Sequence, residues 1–311
     1  MDKSLRTAFL QNYSFHMKDA RMLAGFHHCI EKALHRPAVY AHRGGSLLWP
    51  DNTTLAFDAA LKAGADVLEM DVRATSDSVL VVIHNSTVDE TTNGSGPVAG
   101  YKLADLKLLN AGYRWGPDKF PHRHKGLQIP TLEEVFERYK DRPVCMNIEI
   151  KQIMPSIVDR FCYLVDKHGM SDRVLVASFS TSVLRQIRIK LPQVATSAGT
   201  WEMFVFYLLN WFDLTSRYHL PVRALQFWSS IGPFPIITES LVAAARQYNL
   251  EIHGWTVNKA EEMRRLIKLD IDGIITDDPQ LLIDEIKKAG LAFPTPPFVS
   301  SATVDEKTIN T

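Results

Sequence analysis

Apolar positions recur in two rhythms along the chain. Short β-branched runs read as strands: "AVYAH" (38–42), "VLEMDV" (67–72), "VCMNIEI" (144–150) and "VLVASF" (174–179). "VATSAG" (194–199), "ALQFW" (224–228), "EIHGWTV" (251–257) and "GIIT" (273–276) continue the series. Between or beside them, segments such as "TTLAFDAALKAG", "TLEEVFERYK", "SIVDRFCYLVDKHG", "TESLVAAARQYN" and "AEEMRRLIKL" carry helical spacing. This alternation predicts parallel strands joined by crossover helices. Eight strands point to an α/β fold of the (β/α)8 TIM barrel type, with a doubly wound open sheet as the competitor. His42, Glu69, Asp71, Glu149, Lys151 and Trp255 all lie towards the ends of strand runs. A closed barrel gathers those ends at one mouth, whereas an open sheet would spread them, so the barrel is the expected fold.

Residues 1–37 precede the first strand and read as an N-terminal helical extension, apolar at Phe9, Leu10, Phe15, Met22, Leu23, Phe26 and Ile30. The barrel is expected over 38–290, with a loop-rich insertion at about 85–128. Residues 291–311, rich in Pro, Ser and Thr, are expected to form a flexible tail.

Two runs break the alternation of strand and helix. "VLEMDVRA" and "SVLVVIH" are only a few residues apart, too close for a parallel crossover, so they predict an antiparallel hairpin. A two-residue turn at 76–77 would set His84 opposite Glu69, and one at 77–78 would set it opposite Asp71. Period two then puts all three side chains on one face. Carboxylates at i and i+2 on a strand face converge on a hard cation such as Mg²⁺ or Ca²⁺. "NIEIK" offers a third, Glu149, with Lys151 on the same face. Ordinary strand-end salt bridges are the plainer explanation of an isolated E-x-D. Here the acids alternate with Leu68, Met70 and Val72, and burying unpaired carboxylates is costly.

His42 and Arg43 end the first strand, and Gly44–Gly45 allow a close turn above the mouth. Asn52, Thr53 or Thr54 can cap the helix that follows. Two imidazoles, a divalent cation and two basic side chains fit phosphodiester cleavage. One imidazole takes a proton from the nucleophile and the other gives one to the leaving alkoxide. Cations hold the phosphate oxygens.

Composition changes this picture little. The 35 basic and 35 acidic residues balance, which gives no case for nucleic acid. The start lacks a signal-like apolar core, no run nears the roughly 18 apolar residues of a membrane span, and Cys29, Cys145 and Cys162 read as free thiols. A cytoplasmic protein is expected. "WEMFVFYLLNWF" (201–212) reads as a buried barrel helix or as an apolar lip that admits acyl chains or touches a membrane. "HRHK" (122–125) reads as a solvated loop, and His27, His28, His168 and His219 as structural or surface residues. Oligomeric state is not legible.

"AHRGG", "PDNTTLAF", "GADVLEMDV", "VVIHN", "TTNGSG", "IPTLEEVF", "NIEIK", "GWTVN" and "DGIITDDP" follow one another over residues 38 to 285. In that order they resemble the glycerophosphodiester phosphodiesterase family. The resemblance implies a metal-dependent hydrolase releasing glycerol 3-phosphate and an alcohol, by attack of the substrate's own hydroxyl through a cyclic phosphate. It implies His42 and His84 as the acid–base pair and Glu69, Asp71 and Glu149 as ligands of Mg²⁺ or Ca²⁺. Arg43 and Lys151 become phosphate contacts, and Trp255 a pocket wall. Asp51 stands where the family has Glu, and Asn85 where it has an acid. Two alternatives accompany this reading: a lysophospholipase D-type hydrolase at a membrane surface, and a barrel that binds phosphodiesters without cleaving them.

Overall fold

The structure, a computed structural model, describes residue 26 and residues 37–116 and 119–293. Eleven strands occur among them: β1 (Ala38–Ala41), β2 (Val67–Ala74), β3 (Leu80–Val82), β4 (Cys145–Ile150), β5 (Val174–Ala177), β6 (Ala195–Thr196), β7 (Ala224–Trp228), β8 (Ser230–Ile231), β9 (Phe234–Pro235), β10 (Glu251–Trp255) and β11 (Gly273–Thr276). Eight of these, in the order β6-β5-β4-β2-β1-β11-β10-β7, form a parallel sheet. A bridge between Ser197 and Ala224 closes it into a barrel, and the Ala198 amide donates to the Ala224 carbonyl at 2.8 Å. All eight expected strands are present: 224–228 and 273–276 keep their bounds, 67–72 extends to Ala74, and the other five lose one to three residues at an end.

Period two explains the acids within apolar runs. Leu68, Met70 and Val72 of β2, like Met146, Ile148 and Ile150 of β4, join the core between sheet and helices. Glu69, Asp71 and Glu149 take the opposite, inward parity. A helix follows each barrel strand, and all but the one at 200–211 cover the outside. Several start at the mouth on a side-chain cap, among them Thr53, Thr131, Ser180, Thr238 and Asp278. Thr53 is thus the cap among the three candidates, which frees Asn52 for another task.

The barrel floor is filled by Phe26 against Ala38, Tyr40, Val67, Cys145 and Ala224. Phe26 is helical, and the rest of the expected N-terminal extension lies outside the described residues, as do residues 294–311 of the tail. Cys162 is free and buried, but Cys145 is disulfide-bonded. This corrects the expectation of free thiols and removes the redox argument for a cytoplasmic location. No helix among the described residues is long and apolar enough to cross a membrane.

The hairpin register also departs from expectation. Val72 pairs with Val82, Arg73 with Val81 and Ala74 with Leu80. The loop has three residues, Ser76 to Ser78, with Ser78 in the left-handed region at φ 61° and the Thr75 amide donating to the Val79 carbonyl at 3.0 Å. Neither two-residue turn forms. Continued, this register would set His84 opposite Met70, on the wrong face. The strand stops at Val82 instead, and His84 leaves the ladder to reach the mouth.

The insertion packs on its own cluster of Val81, Ile83, Val88, Val98, Leu106, Ala111 and Ile129. Part of the HRHK segment serves its folding: Asn110 Nδ2 donates to the carbonyls of His122 and Arg123, and Arg123 covers the Phe120 ring. His168 is structural, between Glu133 and Glu137.

Inside the barrel, a Cβ on Gly273 would lie 2.5 Å from the Tyr40 ring and 3.0 Å from the His253 ring. Gly273→Ala is therefore expected to cost about 1–3 kcal/mol, read as a lower midpoint in urea denaturation with an unchanged slope. An unchanged midpoint would contradict this packing.

Candidate active site

Register builds the acidic cluster. Asp71 of β2 pairs with Glu149 of β4, and Glu69 pairs with Asn147 one layer deeper. Oxygens of Glu69, Asp71 and Glu149 lie within 4.8 Å of one another. Glu69 and Asp71 are buried, and Glu149 is partly so. Such crowding has an electrostatic consequence. Burial and the charge of Asp71 push the Glu69 carboxyl up to about 8. Burial and Asp71 also raise Glu149, despite Lys151. Burial works on Asp71 in the same sense, but Lys151 and Arg43 outweigh it and hold Asp71 below the usual carboxylate range.

The basic partners come from the strand ends. Lys151 Nζ lies 2.8 Å from Glu149 Oε2 and 3.3 Å from Asp71 Oδ1. Arg43 Nε lies 3.5 Å from Asp71 Oδ2, and the Arg43 amide donates to Glu69 Oε2 at 2.8 Å. Arg43 occupies the left-handed region at φ 53°, followed by Gly44 and Gly45 at φ 85° and 96°. Gly44 is required there, since a Cβ would meet Ala56 at 2.7 Å.

The cluster fits a divalent cation. Asp71 Oδ1 and Glu149 Oε1 are buried without a hydrogen-bond partner, as is Arg43 Nε. Clustered carboxylates with oxygens that accept no hydrogen bond are the ligands a hard cation takes. With all three carboxylates ionised, as cation binding would require, they and the two side-chain cations sum to one negative charge. A dication would reverse the sign and suit a phosphodiester monoanion.

The two histidines reach the site by different routes. His42 follows β1 directly, and its Nδ1 lies 2.5 Å from Asp277 Oδ1 while its Nε2 faces Glu69 at 3.9 Å. Burial lowers the basicity of His42, but the charge of Glu69 and the bond to Asp277 raise it overall. Asp277 also accepts from Ser46 Oγ at 2.5 Å and Asn258 Nδ2 at 2.6 Å. Burial opposes its ionisation, yet these bonds, chiefly that to His42, bring it down to about 2. His84 is half-buried, its Nδ1 bonded to Asn85 Oδ1 and its carbonyl held by Arg73 Nε at 2.8 Å. Burial lowers its basicity against the pull of Asp71.

The histidines open onto two clefts. His42, Glu69 and Glu149 line one with Phe179, Met203 and Trp255. Arg43 and His84 line the other with Ser46, Asp51, Asn85 and Glu90. Trp255 ends β10 and is fixed by its Nε1 donating to the Gln226 carbonyl at 2.7 Å. The Phe179 ring stands edge-on to Trp255 at 5.7 Å, and Lys151 Nζ lies 5.5 Å from its centroid.

All eight residues singled out from the sequence therefore come to this mouth. Sequence reasoning missed Asp277, Asn258 and Asn52. Asn52 Nδ2 donates to Asp71 Oδ2 at 3.0 Å, and its amide donates to the Arg43 carbonyl at 2.8 Å. The paired acids of "DGIITDDP" were the available signal: Asp278 caps the next helix, which leaves Asp277 to face the mouth.

Residues 42–281 match the model of the Glycerophosphoryl diester phosphodiesterase family. A glycerophosphodiester phosphodiesterase of Caldanaerobacter subterraneus subsp. tengcongensis is 38% identical over 256 residues, covering 81% of this chain and 98% of that protein. Among solved structures, a putative glycerophosphoryl diester phosphodiesterase from Silicibacter pomeroyi superposes with a TM-score of 0.70 at 23% identity, over 86% of this chain and 99% of that one. An Oleispira antarctica phosphodiesterase, solved in complex with the product sn-glycerol-3-phosphate, superposes with a TM-score of 0.67 at 23% identity, over 83% and 99% of the two chains. These last two are likenesses of fold. The family match and the bacterial relative together show that this chain belongs to the glycerophosphoryl diester phosphodiesterase family.

Proposed function

We propose that the chain hydrolyses glycerophosphodiesters to glycerol 3-phosphate and an alcohol, with a divalent cation at Glu69, Asp71 and Glu149 and with His42 and His84 as the acid–base pair. The observation that carries the proposal is the cluster of three carboxylates with orphaned oxygens, set between two imidazoles that face separate clefts. The names of the relatives supply the reaction class.

Each residue then has a task its surroundings support. Glu69, Asp71 and Glu149 would hold the cation, which would supply neutralisation of charge on the phosphoryl oxygens. Arg43 and Lys151 hold those oxygens from the flanks. His42 is the base: Asp277 orients its ring through Nδ1 and stabilises the imidazolium, leaving Nε2 turned towards Glu69 and the mouth. His84, in the cleft with Ser46, Asp51 and Glu90, serves the side of the departing alcohol. Trp255 and Phe179 wall the glycerol side. The binding-only alternative is the weaker reading, because Asn85 still accepts from His84 Nδ1 and holds the ring without a negative charge.

Two outcomes test these roles. His42→Ala and His84→Ala should each lower kcat for glycerophosphocholine by about 10²–10⁴-fold, with circular dichroism unchanged. Full turnover in either variant would remove that residue from the acid–base pair. Asp277→Asn should lower kcat by roughly tenfold or more with little change in KM, as expected of a group that orients the base. A raised KM at constant kcat would instead place Asp277 in substrate binding.

A further inference from the structure

The helix at 200–211 is not the buried barrel helix its composition suggests. Only Glu202 and Phe206 are buried, and Glu202 is tied to Arg188. Trp201, Phe204, Leu208, Trp211 and Phe212 face outward. Asn210, near its far end, bonds Ser240 at the start of helix Glu239–Gln247, which begins at the mouth. The Thr200–Trp211 helix therefore lies along the rim, and the segment after it makes the descent to β7. Next to it, the β8–β9 hairpin lifts Ile231 and Phe234 into solvent. Neither Met203–Phe212 nor Ala224–Thr238 contains a charged residue. Apolar side chains exposed this densely on one rim mark an interaction surface.

We propose that this rim docks on a lipid surface and that the substrate taken from it is a single-chain glycerophospholipid. The proposal rests on the phosphodiesterase reading for its chemistry. Continuity with the site selects this occupant. Met203 of the rim helix lines the cleft that holds His42 and Glu69, and Trp228, just before the hairpin, packs on Trp255 at 5.3 Å between centroids. An alkyl chain leaving a glycerol in that cleft would run onto the exposed aromatic face without crossing a charge. Tryptophans at 201, 211 and 228 suit the boundary of a bilayer, where a ring can be apolar on one side and wet on the other. The described ends of the chain lie elsewhere. Phe26 sits in the floor, and Phe293 follows helix Pro279–Lys288, which runs from mouth to floor.

The reaction is the same hydrolysis. Water oxygen bonds to phosphorus, the P–O bond to the head-group alcohol breaks, and one water proton leaves on that alcohol. The acylated glycerol keeps the phosphate.

Trp211 and Phe234 are 76% and 72% exposed and lie outside the catalytic cluster. The wild-type chain should co-sediment with phosphatidylcholine vesicles containing lysophosphatidylcholine and hydrolyse that lysolipid. Trp211→Ser/Phe234→Ser should weaken vesicle binding and lysolipid turnover by about tenfold or more, with soluble glycerophosphocholine turnover unchanged. A wild-type chain that cleaves glycerophosphocholine but stays in the supernatant and spares the lysolipid overturns this inference and leaves the phosphodiesterase reading standing. Vesicle binding without cleavage of either substrate does the reverse for the docking rim and the phosphodiesterase reading. A wild-type dimer that the double substitution converts to monomer by light scattering would assign the rim to a second copy and overturn the lipid proposal.

Discussion

Carboxylates turned into a space too dry to leave them all ionised are the constraint around which this barrel is organised. Glu69 and Asp71 alternate with the apolar side chains that hold β2 against its helices, so the acids cannot swing to solvent without dismantling that strand. Register with β4 adds Glu149 beside Asp71. Repulsion is relieved in part by Lys151 and Arg43, and by the Arg43 amide and Asn52. The relief is incomplete, since two carboxylate oxygens accept no hydrogen bond. In the proposed reading, a dication and a phosphodiester would complete this charge arrangement together.

The same constraint places the histidines. Each stands beside the acids, and each is turned by a partner on its Nδ1, Asp277 for His42 and Asn85 for His84. The clefts beyond them differ in chemistry. One is walled by Phe179, Met203 and Trp255, the other by polar and acidic groups. That difference gives the proposed reaction a direction, with the glycerol side apolar at its edge and the leaving alcohol in a polar cleft.

Much of this was legible in the chain. Eight β-branched runs, acids at alternating positions and chemistry at strand ends are local signals, and local signals survive folding. What escaped was set at longer range or by single backbone angles. A left-handed Ser78 lengthens the hairpin loop by one residue and shifts its register, so His84 reaches the mouth by leaving the strand. Asn52 carries the side chain of a helix cap, but Thr53 takes that role and Asn52 holds Asp71. Asp277 meets His42 only because the sheet sets β11, the last strand in the chain, beside β1. The helix at 200–211 is apolar nearly all round, and in the absence of a polar face its composition alone argued for burial. Its exposure is a property of where the barrel puts it.

The most direct test of the central claim is calorimetric titration of Mg²⁺ and Ca²⁺ into the metal-free chain, beside Asp71→Asn and Glu149→Gln chains shown to be folded. One saturable site per wild-type chain, lost in both variants, is the predicted result. A wild-type chain that takes up neither ion, or variants that bind as well as it does, would contradict the cation-centred account.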